Sequence, residues 1–164
     1  MSTVNPFNQY SFVIIAGFGL LTLAVVFAVT GFNRRKAAAL AAAAAAGLVA
    51  WAGLRTGAGS APEAVQAALV VRAADRPVLV EFYSDYCVAC LAAKPTLDAL
   101  ERELRSDLRI IRLDVASAEG RALGEQLELR VTPTFILFDA DGLEIWRGLG
   151  SLDGGAIRAA LGLT

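Results

Sequence analysis

The sequence predicts an α/β domain built on a mixed sheet flanked by helices, preceded by a hairpin of two membrane-length helices. Three observations carry this expectation. Tyr10 to Phe32 is an uncharged run of 23 residues. From residue 77 to 127, short apolar runs alternate with segments of helical spacing, which implies parallel pairing. Two further apolar runs are joined by Asp141-Gly142, a hairpin turn signal that adds antiparallel strands.

Charge divides the 164-residue chain in two. Residues 1–59 contain no acidic residue and only four basic ones, Arg34, Arg35, Lys36 and Arg55. All sixteen acids lie beyond residue 59 with the other eleven basic residues. The apolar content of 56% exceeds that of soluble domains, about 45–50%, and the first part causes the excess. No basic tract with interleaved aromatics appears, which gives nucleic-acid binding no support.

After a tail over 1–9, the run 10–32 would span roughly 34 Å as a helix, enough for a bilayer core of about 30 Å. A cleaved signal peptide is the alternative. It fits poorly, because no basic segment precedes the run and the run exceeds the usual apolar core of about 7–15 residues. The second run, 37–54, just reaches across, with Leu40, Leu48, Val49, Trp51 and Leu54 driving insertion through an alanine-rich background. Its flanks also resemble those of a signal peptide, a reading that requires a later start site. In the hairpin reading its alanines form a smooth face that the first helix can approach closely. The three basic residues of the turn then place that turn in the cytoplasm and both termini outside. If the second run failed to insert, the same rule would leave the following domain in the cytoplasm.

Residues 55–61 read as a flexible linker. Beyond it, 62–164 is one small domain. Ser60 is a candidate N-cap for a helix to about Ala74. The expected order is then strand 77–83, helix 88–105, strand 108–114, helix 118–127, strand 134–139, strand 143–148 and helix 153–161.

Cys87-Val88-Ala89-Cys90 holds the only two cysteines of the chain. A C-x-x-C pair has three common readings: a redox disulfide, half of a zinc site, or a haem attachment. Zinc needs about four nitrogen or sulfur ligands, and the chain has no histidine and no third cysteine. Haem attachment requires a histidine after the second cysteine, where Leu91 stands. The strand 77–83 and the helical spacing from Val88 put Cys87 at a helix N-terminus, where unpaired N–H groups favour a thiolate. A redox dithiol is the expected chemistry.

Pro-Val-Leu-Val-Glu-Phe-Tyr-Ser-Asp-Tyr-Cys-Val-Ala-Cys, with Pro95 five residues after Cys90 and Thr132-Pro133-Thr134 further on, resembles the thioredoxin superfamily over about residues 62–163. The Val-Ala dipeptide, and the run from Ala64 to Leu69 leading to Arg76-Pro77-Val78, resemble the C-terminal domain of DsbD-type transmembrane disulfide reductases. Membrane-tethered thioredoxin-like proteins of cytochrome c maturation are similar in kind. The two-helix anchor matches none of these well. The resemblance implies a thioredoxin fold in which Cys87 is the exposed attacking thiol and Cys90 the resolving thiol. It implies that Glu81 is a buried acid that relays the resolving thiol's proton, with an exposed strand-end carboxylate as the alternative. Pro133 matches a cis-proline facing the disulfide, and the Thr132 backbone beside it would pair with an extended client segment. Tyr86 stands where the family usually has tryptophan and would line the client site. Pro95 would bend the active-site helix, and Gly150 matches a glycine in the loop beside the site. Leu91 replaces a commonly basic residue, and Asp85 is a loop acid beside the nucleophile.

The functional expectation is a membrane-tethered, extracytoplasmic (periplasmic or equivalent) thiol–disulfide oxidoreductase that reduces disulfides of client proteins. It needs no cofactor or metal beyond the cysteine pair, and it draws on an electron donor that crosses the membrane. A rival reading makes the chain a subunit of a larger membrane complex, with the hairpin as the working part and the thioredoxin-like domain as a docking module. A metal-chaperone reading is weaker, because two thiolates alone give an incomplete site.

Overall fold

The computed structural model describes residues 4–55 and 76–163. It opens with α1 (Pro6–Gln9), α2 (Ser11–Val29) and α3 (Arg34–Leu54). Asn5 starts α1 by accepting the Phe7 N–H at 2.9 Å, and Pro6 occupies the first helical position, where its missing donor leaves no bond unmade. Where the sequence suggested a tail, residues 4–10 therefore have defined structure.

The turn between α2 and α3 is built by capping. Gly31 takes φ +83°, and the Lys36 ammonium donates to the Thr30 carbonyl at 3.1 Å and the Gly31 carbonyl at 2.9 Å. A cation thus sits on the unsatisfied carbonyl end of α2. Asn33 accepts the Lys36 N–H at 2.9 Å as the N-cap of α3. That cap explains why α3 starts at Arg34 rather than at 37: the basic triplet is its first turn. Both helices are long and apolar enough to cross a membrane, they touch one another, and their apolar side chains are not buried within the protein.

The sheet comprises β1 (Val78–Tyr83), β2 (Arg109–Asp114), β3 (Thr134–Phe138) and β4 (Glu144–Leu149), in the order β2-β1-β3-β4. β1 pairs in parallel with β2 and antiparallel with β3, and β3 pairs antiparallel with β4. The hairpin turn places Gly142 at φ +79°, as the Asp-Gly signal requires. Among the described residues, three helices flank the sheet: α4 (Val88–Glu103), α5 (Ala118–Gln126) and α6 (Gly154–Ala160). Each lies within two residues of its expected bounds. The expected helix to Ala74, its Ser60 cap and the linker beyond Arg55 lie outside the described residues.

β1 is buried along its whole length because both its faces are covered. Val78, Val80 and Phe82 pack with Ile111, Leu113, Ile136 and Phe138 on one face. On the other, Leu79 packs with Phe135, Leu137 and the α4 residues Ala93, Leu97 and Leu100. This second face carries the chemistry, since strand alternation puts Glu81 and Tyr83 beside Leu79 and toward α4.

Candidate redox site

Cys87 is the N-cap of α4, and its Sγ accepts the Cys90 N–H at 3.4 Å. Both thiols are free and buried, packed with Tyr83 and half-buried Ala89. The Thr132–Pro133 peptide is cis, and the Thr132 carbonyl oxygen lies 3.4 Å from Cys87 Sγ, placed to accept from its thiol form. Gly150, at φ +75°, donates its N–H to the Pro133 carbonyl at 2.8 Å, which fixes the loop after β4 against the proline. Cys87, Cys90, Thr132, Pro133 and Gly150 are thus brought together. Pro95 lies within α4, past the cysteines.

The two thiols differ sharply. Hydrogen bonding with the Cys90 side chain is the largest influence on Cys87 and lowers its pKa to about 6 against the opposing effect of burial. Cys90 is pushed far up, first by burial and then by the hydrogen bond and negative charge of Cys87. One sulfur is therefore a thiolate at neutral pH and the other a thiol. Alkylation of reduced Cys87 by iodoacetamide is expected to rise with pH through a midpoint near 6 and to level off by about pH 8. A midpoint at the ordinary value of about 8.5 would show that the thiolate is not stabilised.

Glu81 is 2% exposed, on the β1 face that turns toward α4. Burial raises its pKa to about 7, against the lowering effect of Arg112. Arg112 stands directly across the β1–β2 ladder, with Nε 3.7 Å from the Glu81 carboxylate. Its Nη2 reaches Asp98 and Glu101 of α4, each at 2.7 Å. Glu81 is thus a buried acid, not an exposed strand-end carboxylate. Arg112 was not anticipated; its signal was a basic residue inside the apolar run Ile110-Ile111-Arg112-Leu113.

Cys87 is not the exposed thiol that the resemblance implies: its accessible surface is 0%. The N-terminal segment lies against the loops on either side of Cys87, a placement the sequence did not disclose. Asn8 hydrogen-bonds Thr132, and Ser84 Oγ donates to the Gln9 carbonyl at 3.1 Å. Ser11 Oγ accepts the Val88 N–H at 3.0 Å, and Phe12 donates to the Tyr86 carbonyl at 2.9 Å. Tyr86 is 40% exposed, and its ring lies 5.8 Å from that of Tyr10 and is stacked with that of Trp51 of α3 at 5.9 Å. The Trp51 indole N–H donates to the Asp85 carbonyl at 2.8 Å. Asn5-Pro6, a cap followed by a first-turn proline, was the one sequence signal for order here.

The thioredoxin family model matches residues 64–161, more than half of the chain. The chain is 32% identical to thioredoxin C-2 of Corynebacterium nephridii over 78 residues, which cover 48% of this chain and 69% of that protein. It is 37% identical to thioredoxin of Chlamydia trachomatis over 76 residues, 46% of this chain and 71% of that one. It is 38% identical to the thiol:disulfide interchange protein DsbD of Ralstonia nicotianae over 84 residues, 49% of this chain but only 13% of that protein. Among solved structures, chloroplastic thioredoxin z superposes with a TM-score of 0.53 at 22% identity, covering 60% of this chain and 86% of that one, a likeness of fold. With a thiolate–thiol pair at the head of α4 and a cis-proline beside it, the chain belongs to the thioredoxin family and is a thiol–disulfide oxidoreductase.

Proposed function

We propose that this protein is a membrane-tethered disulfide reductase whose redox domain lies outside the cytoplasm. The observation that carries the chemistry is the asymmetric pair, a Cys87 thiolate beside a Cys90 thiol. The Cys87 thiolate attacks one sulfur of a client disulfide, forming a mixed disulfide and releasing the other client sulfur as a thiolate, which takes a proton from water. Cys90 then loses its proton and attacks Cys87 Sγ. The mixed disulfide breaks, the second client sulfur leaves as a thiolate that takes a proton from water, and the Cys87–Cys90 disulfide remains. Two electrons pass from the pair to the client, and a donor of the same thiol class must restore them. Glu81, half-ionised near neutral pH, is suited to receive the Cys90 proton through water. Thr132 would pair with the client backbone, with Pro133 and the Tyr86 ring bounding the groove.

Val88, Ala89 and Leu91 bring no positive charge to the thiolate, which favours a reductant over a strong oxidant. Tethering is supported by the two exposed apolar helices, and the orientation by Arg34, Arg35 and Lys36 in and beside their turn. In spheroplasts, a membrane-impermeant maleimide is expected to label Cys87 after mild reduction, over a time course long enough for its cover to open. Labelling confined to lysed cells would put the domain in the cytoplasm and remove α3 from the membrane.

A further inference from the structure

We infer that Asn8 and the strap around it act as an internal substitute for the client, so that a client binds only by displacing residues 5–11 from the groove beside Pro133. This rests on the reading above that Thr132 is where a client backbone pairs. An extended client would offer Thr132 one acceptor for its N–H and one donor for its carbonyl, as an added strand does. The Asn8 amide already offers both. Its Oδ1 accepts the Thr132 N–H at 2.6 Å and the Thr132 hydroxyl at 2.9 Å, and its Nδ2 donates to the Thr132 carbonyl at 2.9 Å. A carboxamide carries the same donor–acceptor pair as a peptide group, so one side chain occupies the place of a client peptide.

The fixing of the strap suits opening rather than permanent closure. One end is anchored by Val4, 5% exposed among Val115, Leu129 and their neighbours, with the Asn5 N–H on the Arg130 carbonyl at 3.1 Å. The other end runs into α2 through Ser11. Between them, the contacts with the redox loops are hydrogen bonds made by Asn8, Gln9 and Ser11, with one apolar contact, the tilted Tyr10–Tyr86 ring pair. Water or a client can replace such bonds at small net cost, whereas an apolar seal would resist it. With the strap closed, Cys87 Sγ has no exposed surface and no disulfide can align with it. The same displacement therefore uncovers the pairing edge and the nucleophile together. The partner this selects is a disulfide on a chain segment able to lie extended beside Thr132; a compact small-molecule disulfide gains nothing from that edge.

The test uses the full chain in detergent micelles, comparing wild type with Asn8→Ala and, as an independent release of the same strap, Ser11→Ala. Two rates are read at pH 8, above the Cys87 midpoint: alkylation by iodoacetamide and reduction of insulin. Asn8→Ala is expected to raise both by about tenfold, the shift in an opening equilibrium when about two net hydrogen bonds are lost. Ser11→Ala should raise both by a smaller factor of about threefold. Rates within twofold of wild type in both variants, or a fall in either rate, would overturn the proposal. The outcomes separate it from the reductase reading. Faster alkylation with no insulin reduction by any form would keep the strap and remove the reductase. Equal insulin reduction and equal alkylation by all forms would keep the reductase and remove the strap.

Discussion

Cys87→Ser is expected to lower insulin reduction by the full chain by at least about a thousandfold, because it removes the only sulfur that is ionised at neutral pH. Cys90→Ser is expected to behave differently. The first attack by Cys87 still occurs, but no neighbouring sulfur releases the client. Turnover should fall by about a hundredfold or more while the mixed disulfide on Cys87 accumulates, since resolution then depends on an external thiol rather than one held in place. Non-reducing electrophoresis would show the trapped species in the Cys90 variant alone. Equal trapping by both variants, or equal alkylation of both thiols in the wild type, would break the assignment of roles.

Glu81→Gln is expected to stabilise the protein at alkaline pH. A carboxyl whose folded pKa is raised above its unfolded value takes up a proton on folding in the interval between the two. Its contribution is fully present below about 4.5 and is lost as pH rises through about 7. The span corresponds to about 3 kcal/mol at most. Glutamine keeps the shape and cannot ionise, and Arg112 retains Asp98 and Glu101 as partners. In urea unfolding of the full chain, the variant should exceed the wild type by about 1–3 kcal/mol at pH 8, and the difference should vanish toward pH 4.5. Titration of Cys87 is common to both proteins and drops out of the comparison. No gain at pH 8, or a gap that widens as pH falls, would mean that the Glu81 carboxylate is hydrated or more strongly paired than its burial implies. Slower resolution of mixed disulfides in the same variant would further assign it the proton of Cys90.

The strands and helices of the redox domain were legible because their signals are local. The run Val78 to Tyr83, the Asp-Gly turn and the helical spacing after Cys87 each state a period or a cap within a few residues. The pairing of Cys87 with Thr132 and Pro133 was legible only through resemblance, since nothing in the spacing of residues 87 and 132 requires them to meet. The start of α3 was misplaced by three residues because an N-cap, Asn33, outweighs the reluctance to count charged residues in a membrane-length helix. The strap was missed for a different reason. Asn8, Gln9 and Ser11 act through polar contacts with residues more than 70 positions away, and such contacts leave no periodicity to read.

The stack of Trp51 on Tyr86 has a consequence for geometry of reach. Trp51 lies one helical turn before the end of α3, about 5 Å along the axis, and its indole N–H holds the loop that leads into Cys87. On the proposed placement that indole sits at the level of the lipid headgroups, where tryptophan prefers to be. The reactive sulfur then works at a fixed height above the bilayer and does not sweep the space beyond it. Encounter becomes a search in two dimensions, and a disulfide borne on a membrane-bound partner meets Cys87 at a far higher effective concentration than one diffusing freely.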